Sequence, residues 1–125
     1  MLGNADIVAI VPVKDLEKGK KFYVDTLGLE IVKERPGGIV MKSGSTQVLV
    51  YKTGFAGTNQ ATTAAWTVKD VDGVAKDLTA KGIKLEHYDL PGASREGDVH
   101  ILGDLRAIWF KDPDGNILSV GNDLG

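Results

Sequence analysis

The tetrapeptide VKDL at 13–16 returns as VKDV at 68–71, 55 positions later, and this repeat decides the fold. Each copy ends an apolar run and begins an amphipathic stretch, which a glycine closes at Gly28 and again at Gly82. Aspartate is a favoured helix N-cap, and glycine is a common residue just past a helix end. The repeat therefore predicts two copies of one strand–helix module.

The pattern of apolar residues on both sides of the repeat predicts the other elements. Strands are expected at 7–13, 29–34, 38–42 and 46–52 in the first half, and at 63–68, 83–88, 106–110 and 116–120 in the second. The polar stretch 53–62 lacks periodicity and is the predicted linker. Residues 89–104 are expected to be an irregular loop, whereas DPDG at 112–115 is typical of a hairpin turn.

Each half thus follows the order strand–helix–strand–strand–strand. The predicted fold class is α+β, with two tandem βαβββ modules in one domain of 125 residues. The expected bounds are about 5–53 for the first module, 54–61 for the linker and 62–122 for the second module. We expect a curved mixed sheet with a concave cup and with the helices on its convex face.

The amino-acid composition limits the kinds of molecule that the protein is expected to bind. The net charge of −2 gives no reason to expect nucleic acid or an anionic membrane. No apolar run approaches the roughly 20 residues that cross a bilayer, and no signal-peptide pattern is visible at the start. Because the chain has no cysteine, disulfides and thiolate metal sites are excluded. We expect a cytoplasmic protein with neither nucleic acid nor membrane as a partner.

The repeated phrases resemble the vicinal oxygen chelate superfamily, which includes glyoxalase I, extradiol dioxygenases, and fosfomycin- and bleomycin-resistance proteins. The matching text lies at 11–23, 27–29, 66–72, 81–83 and 109–116, so the resemblance covers nearly the whole chain. It implies a two-module fold with a ligand site in the cup between the modules. Resistance-type relatives are homodimers, so the resemblance also implies a homodimer.

In metal-dependent members of that superfamily, His, Gln or Glu side chains from four strands hold a divalent ion. Carried over by position, three of the ligand sites fall on Val8, Thr63 and Ser119, and Gln47 is the nearest candidate for the fourth. An isopropyl group and two hydroxyls cannot neutralise or chelate a divalent cation. We therefore predict no metal ion and no other cofactor.

Strand alternation predicts which side chains line the cup, because alternate residues of a strand share one face. The predicted contacts from the strands are Val8, Ile10, Thr63, Ala65, Thr67 and Ser119. Trp109 and Phe110 face opposite ways, so one of them is expected to border the cavity, and both stay candidates. If the 89–104 loop closes over the cup, Arg95 and His100 join the set. This small, apolar wall with a few hydroxyls fits a largely apolar or aromatic ligand.

The favoured interpretation is a metal-independent small-molecule-binding protein, similar to the drug-sequestering resistance proteins. An enzyme is the alternative: a lyase or dioxygenase with a non-standard metal site, or an isomerase with a general base. Glu96, Asp98 and His100 are the catalytic candidates, since a spacing of two places them on one face of a strand. A third interpretation is a protein-interaction or structural domain. The sequence leaves open whether any reaction is catalysed and which ligand is bound.

Overall fold

The computed structural model describes residues 1–123. Their contacts divide the chain into two compact units, Met1–Thr58 and a second unit that begins at Asn59. Each unit has its own sheet and its own helical segment. The boundary lies inside the stretch 53–62, the segment without apolar periodicity.

The first unit is a four-stranded sheet with a helical segment between its first two strands. Its strands are β1 (Ala9–Val13), β2 (Glu30–Arg35), β3 (Gly38–Ser43) and β4 (Thr46–Lys52), in the spatial order β1-β4-β3-β2. β1 is parallel to β4, and the other neighbours are antiparallel. A 3-10 turn precedes β1 at Leu2–Asn4, and helix α1 (Leu16–Lys20) continues as a π-helical segment over Lys21–Thr26.

The predicted caps explain where α1 begins and where the helical segment ends. The Asp15 carboxylate accepts the backbone N–H groups of Glu17 and Lys18 at 2.9 and 3.2 Å. The segment ends before Gly28, whose φ of +83° is the left-handed conformation that favours glycine. The Asp15 cap and Gly28 thus mark the two ends, as predicted.

The second unit follows the same plan and adds a hairpin. Its strands are β5 (Thr62–Thr67), β6 (Leu85–Glu86), β7 (Ser94–Glu96), β8 (Val99–Leu102), β9 (Leu105–Lys111) and β10 (Ile117–Gly121), in the order β5-β10-β9-β8-β7 with β6 also paired to β9. β5 is parallel to β10, as β1 is to β4. Helix α2 (Val71–Ala80) is capped by the Asp70 carboxylate, which accepts the Gly73 N–H at 2.9 Å. The predicted α+β class with repeated βαβββ order is confirmed.

The predictions for 83–88 and 89–104 were wrong in detail. β6 has only two residues, and the supposed irregular loop contains the β7–β8 hairpin. The register shows the reason: Glu86 pairs with Trp109, and His100 pairs with Ala107, so β6 and β8 lie in succession along one edge of β9. Residues 87–98, which we call the excursion, leave the edge of β9 after β6, form β7 as the outer strand of the sheet, and are followed by β8, which pairs with β9 again. In the first unit, the equivalent strand β2 has only a bulge, between Ile31 and Lys33.

The turn between β9 and β10 is held by a buried carboxylate. Asp112 accepts the N–H groups of Asp114 and Asn116 at 3.0 and 2.9 Å, and the Asn116 side-chain amide at 2.7 Å. Asp112 and Asn116 are both buried, so these bonds are shielded from water. The predicted hairpin at 112–115 is confirmed. Within residues 1–123, neither helix is both long and apolar enough to span a bilayer.

Candidate functional site

The two faces of the second unit's sheet carry different side chains. One face is the apolar core, where Trp66 stacks on Phe110 with ring centres 6.4 Å apart and Phe110 is only 1% exposed. On the other face, the register aligns Ala65, Ser119 and Trp109 across β5, β10 and β9. We call this second face the Trp109 face. Phe110 therefore lies in the core, away from the face where a ligand contact was predicted, and Trp109 is the member of the pair on the Trp109 face.

Three rings meet at the edge of the Trp109 face. The Trp109 ring centre lies 4.9 Å from that of His100 and 5.7 Å from that of Tyr88, and both pairs are nearly perpendicular. The Trp109 indole N–H donates to the Thr62 hydroxyl at 3.2 Å. His100 reaches this place because its strand partner, Ala107, is two residues from Trp109 on the same face of β9. Tyr88, His100 and Trp109 form what we call the aromatic cluster.

The hydrogen bonds of His100 define its protonation. The side chain is 3% exposed, and its Nε2 accepts the backbone N–H of Tyr88 at 2.9 Å. A backbone N–H can only donate, so Nε2 carries no proton here, and the imidazole is neutral with its proton on Nδ1. Nδ1 is buried and has no hydrogen-bond partner, and the same holds for the hydroxyl of Tyr88. The aromatic cluster thus contains two buried polar atoms that lack partners.

A cavity of about 340 Å³ lies beside the aromatic cluster. Tyr88 and His100 form one part of its wall, and the excursion supplies the rest through Asp89, Leu90, Pro91, Ala93, Ser94 and Arg95. Arg95 pairs with His100 in the hairpin register, so both side chains lie on the same side of the β7–β8 ribbon. This volume is in the range of small-molecule sites. Of the predicted ligand contacts, Arg95 and His100 line this cavity, and Trp109 contacts its wall.

Side-chain hydrogen bonds hold the excursion at both ends. His87 Nε2 lies 2.6 Å from the Asp98 carboxylate, and Arg106 bonds Asp72 of α2 at 2.9 and 3.2 Å and Glu96 of β7 at 3.4 Å. The hydrogen bonds that Arg106 donates to the Asp72 carboxylate, with a smaller contribution from Glu96, raise the pKa of the guanidinium above its ordinary value. Together with the Tyr88–His100 bond, these contacts close the neck of the excursion.

The three catalytic candidates do not share a face. The strand ends at Glu96, and a turn at Gly97 and Asp98 reverses the chain, so Glu96 pairs with Val99 on the side opposite His100. Glu96 bonds Arg106 and Asp98 bonds His87, so neither carboxylate is paired with His100. In the described part of the chain, no group of three His, Asp or Glu side chains could hold a metal ion.

A sequence profile of the Glyoxalase/Bleomycin resistance protein/Dioxygenase superfamily matches residues 6–120, nearly the whole of both units. The chain belongs to this superfamily. The resemblance drawn from the repeated VKD phrases is thereby confirmed.

Several solved structures share the fold of this chain. The antibiotic-binding protein TnmS3 from Streptomyces sp. CB03234 is 24% identical, with a TM-score of 0.67 over 94% of this chain and 95% of its own. Lactoylglutathione lyase from Agrobacterium tumefaciens is 22% identical, with a TM-score of 0.68 over 94% and 92%. A glyoxalase/bleomycin resistance protein/dioxygenase from Alicyclobacillus acidocaldarius is 21% identical, with a TM-score of 0.69 over 94% and 90%. At these identities, the likeness shows the fold alone.

The positions that hold metal in metal-dependent members of the superfamily do not fit an ion here. Val8, exposed in the first unit, has no donor atom. Thr63 has a buried hydroxyl without a hydrogen-bond partner, and the Ser119 hydroxyl donates to the carbonyl of Ile108 at 3.0 Å. Gln47 of β4 is exposed and supplies only a neutral amide. Hydroxyls and one amide lack the charge and donor strength that a divalent cation needs.

The remaining predicted contacts are exposed. Ile10 is 52% exposed in the first unit, and Ala65 and Thr67 are exposed on the Trp109 face. The sequence did not single out Tyr88, which shapes the cavity with His100. The only signal in the sequence was that Tyr88 and His100 lie at the two ends of a polar stretch that contains glycine. Their contact depends on where β8 pairs with β9, which the sequence does not show.

Proposed function

We propose that this protein binds a small, largely apolar or aromatic molecule in the cavity beside the aromatic cluster, and that it does so without a metal ion. The observation that carries the proposal is a cavity of about 340 Å³ whose wall combines Tyr88 and His100 of the aromatic cluster with the apolar side chains of Leu90, Pro91 and Ala93. Superfamily membership and the fold shared with the antibiotic-binding TnmS3 support a binding role.

The two tryptophans of the chain provide a test with an internal control. A ¹H–¹⁵N spectrum has one indole signal for Trp109, beside the cavity wall, and one for Trp66, on the core face of the sheet. The Trp109→Phe and Trp66→Phe variants assign the two signals. Titration with a panel of one- and two-ring aromatic compounds should shift the Trp109 signal saturably and leave Trp66 nearly unchanged. The proposal fails if no compound in the panel shifts Trp109.

Metal independence rests on the donor set at Val8, Thr63 and Ser119. Protein purified without chelators should contain less than about 0.1 equivalent of Ni, Zn, Fe or Mn per chain, because no carboxylate or imidazole stands at these positions. A stoichiometric amount of any of these metals would refute this part of the proposal.

We also propose a cytoplasmic homodimer, on the basis of the superfamily resemblance. Light scattering coupled to size-exclusion chromatography should give about twice the 13.3 kDa chain mass. A single-chain mass at micromolar concentration would contradict the dimer without affecting the binding proposal.

A further inference from the structure

We propose that the hydrogen bond from the Tyr88 N–H to His100 Nε2 is an acid-sensitive clasp, and that protonation of His100 at Nε2 opens the cavity wall that the excursion forms. The opening depends only on the contacts of His100. Its consequence, that acid weakens ligand binding, rests on the proposed function.

The first step is the role of Nε2 in the closed arrangement. This nitrogen accepts the Tyr88 N–H at 2.9 Å, and His100 is only 3% exposed. A proton on Nε2 turns this acceptor into a second donor, so that two N–H groups would face each other. The positive ring would also be buried, with no hydrogen-bond partner at Nδ1. The clasp therefore holds the neutral ring, and the ring takes up a proton when the clasp opens.

The second step is the charge around His100. Arg95 pairs with His100 in the β7–β8 register and lines the same cavity, so its positive charge opposes a second one on the ring. Asp89 also lines the cavity, but it is exposed, and water screens its charge. The other charged or titratable side chains of the adjoining segments are bonded to one another, in the pairs His87–Asp98, Glu86–Lys111 and Glu96–Arg106. Among the described residues, no carboxylate thus bonds the His100 ring to stabilise its charged form.

The third step is the set of contacts that acid leaves in place. A proton on His87 gives its bond to the Asp98 carboxylate opposite charges, which strengthens it. Arg106 stays charged, and carboxylates ordinarily remain ionised down to about pH 5, so the bond to Glu96 also persists. Strand β7 is paired with β8 from Ser94 onward. Acid therefore releases residues 88–93, which form much of the cavity wall.

Amide hydrogen exchange of the wild-type protein measures this opening. An exposed histidine gains its proton near about pH 6.5, so below this value the open form binds a proton that the closed form excludes. The closed form is favoured above this pH and loses its advantage as the pH falls. From about pH 7 to about pH 5, the protection factor of the Tyr88 amide should fall roughly 25-fold.

The same experiment contains its own control. The Val68 amide donates to the Gly121 carbonyl at 2.9 Å, an acceptor that does not titrate, and its protection factor should change by less than about threefold. A two-bond ¹H–¹⁵N spectrum at neutral pH should show the His100 proton on Nδ1. The inference is overturned if that proton is on Nε2, or if Tyr88 protection falls no more than Val68 protection.

The two histidines of the chain provide a matched pair of variants. His100→Gln places an amide oxygen near the position of Nε2, so the Tyr88 N–H keeps an acceptor that acid does not protonate, and Tyr88 protection should no longer depend on pH. His87→Gln is the control and should keep the roughly 25-fold fall, because His100 is unchanged. The opposite pattern would contradict the clasp. If either variant fails to fold, the wild-type measurement still decides.

The probe 2-naphthol connects the clasp to the cavity, because this two-ring compound is uncharged in the same pH range. Added at about ten times its dissociation constant, it should raise the Tyr88 protection factor about tenfold, since it binds the closed form. A saturable Trp109 shift with unchanged Tyr88 protection would overturn the inference and leave the proposed function standing. If neither 2-naphthol nor the aromatic panel shifts Trp109, the proposed function fails, and Tyr88 exchange without ligand still decides whether acid opens the clasp.

Discussion

Replacing Tyr88 by phenylalanine should stabilise the protein. The change removes one oxygen atom, which is buried and has no hydrogen-bond partner. Most tyrosine-to-phenylalanine changes in a folded protein break a hydrogen bond or have little effect. Here, the folded state loses a group that was taken from water without compensation, so the free energy of unfolding should rise.

The magnitude follows from the desolvation cost of a hydroxyl. An unsatisfied buried donor costs roughly 1–3 kcal/mol, and a small void remains where the oxygen was, which offsets part of the gain. We expect a net gain of about 1 kcal/mol, which is a factor of about five in the ratio of folded to unfolded protein. The ring contacts with His100 and Trp109 do not involve the hydroxyl and should persist.

Urea unfolding measures this change. Both tryptophans belong to the second unit, so their fluorescence follows the unfolding of the unit that contains Tyr88. The midpoint should rise with an unchanged slope, because the surface exposed on unfolding is nearly the same. Tyr51→Phe removes a hydroxyl from a residue that is 37% exposed, and its midpoint by far-UV circular dichroism should not move. A lower midpoint for Tyr88→Phe would refute the reasoning, since it would show that the hydroxyl is satisfied in the free protein.

Three further predictions test other contacts by urea unfolding. Thr63→Val should also raise stability, by about 1 kcal/mol, because the Thr63 hydroxyl is buried without a partner, whereas exposed Thr67→Val should have little effect. Asp112→Ala should cost about 3 kcal/mol, because three N–H donors of the last turn lose their acceptor; a loss no larger than that of the exposed control Asp104→Ala would contradict this. Gly73→Ala should lower the free energy of unfolding by about 1 kcal/mol, because the new Cβ would meet the Asp70 carboxylate that caps α2. In an Asp70→Ala background, the same change should raise the free energy of unfolding by about as much, because alanine favours the helix over glycine. Equal effects in both backgrounds would contradict the predicted coupling.

Local chemistry explains what the sequence could predict. The caps at Asp15 and Asp70 and the glycine that follows each helical segment depend on a few neighbouring residues, so the sequence contains them in full. Alternation also predicted that Trp109 and Phe110 face opposite ways. It could not say which one belongs to the core, because that depends on how β9 is placed between β8 and β10.

The candidate site could not be predicted for the same reason, because it depends on how distant strands pair. Charged and glycine residues at 89–104 are typical of a solvated loop, and the irregular loop predicted there included His100. The register along β9 buries it instead, and this pairing links residues far apart in sequence. The polar composition correctly indicated exposed side chains on the outer side of the hairpin, where Glu96 bonds Arg106 and Asp98 bonds His87. It was misleading for the inner side, where His100 is buried.

The residues of the excursion can change the shape of the cavity without changing the strand pairing of the fold. Since β6 and β8 occupy successive positions on one edge of β9, the two ends of residues 87–98 are close together whatever lies between them. Doubling the length of such a loop costs only about 0.6 kcal/mol of closure entropy. Related sequences can therefore replace residues 89–98, which form most of the cavity wall, while Tyr88 and His100 stay in place. New ligand selectivity would then arise without any change in the β9 pairing on which the fold depends.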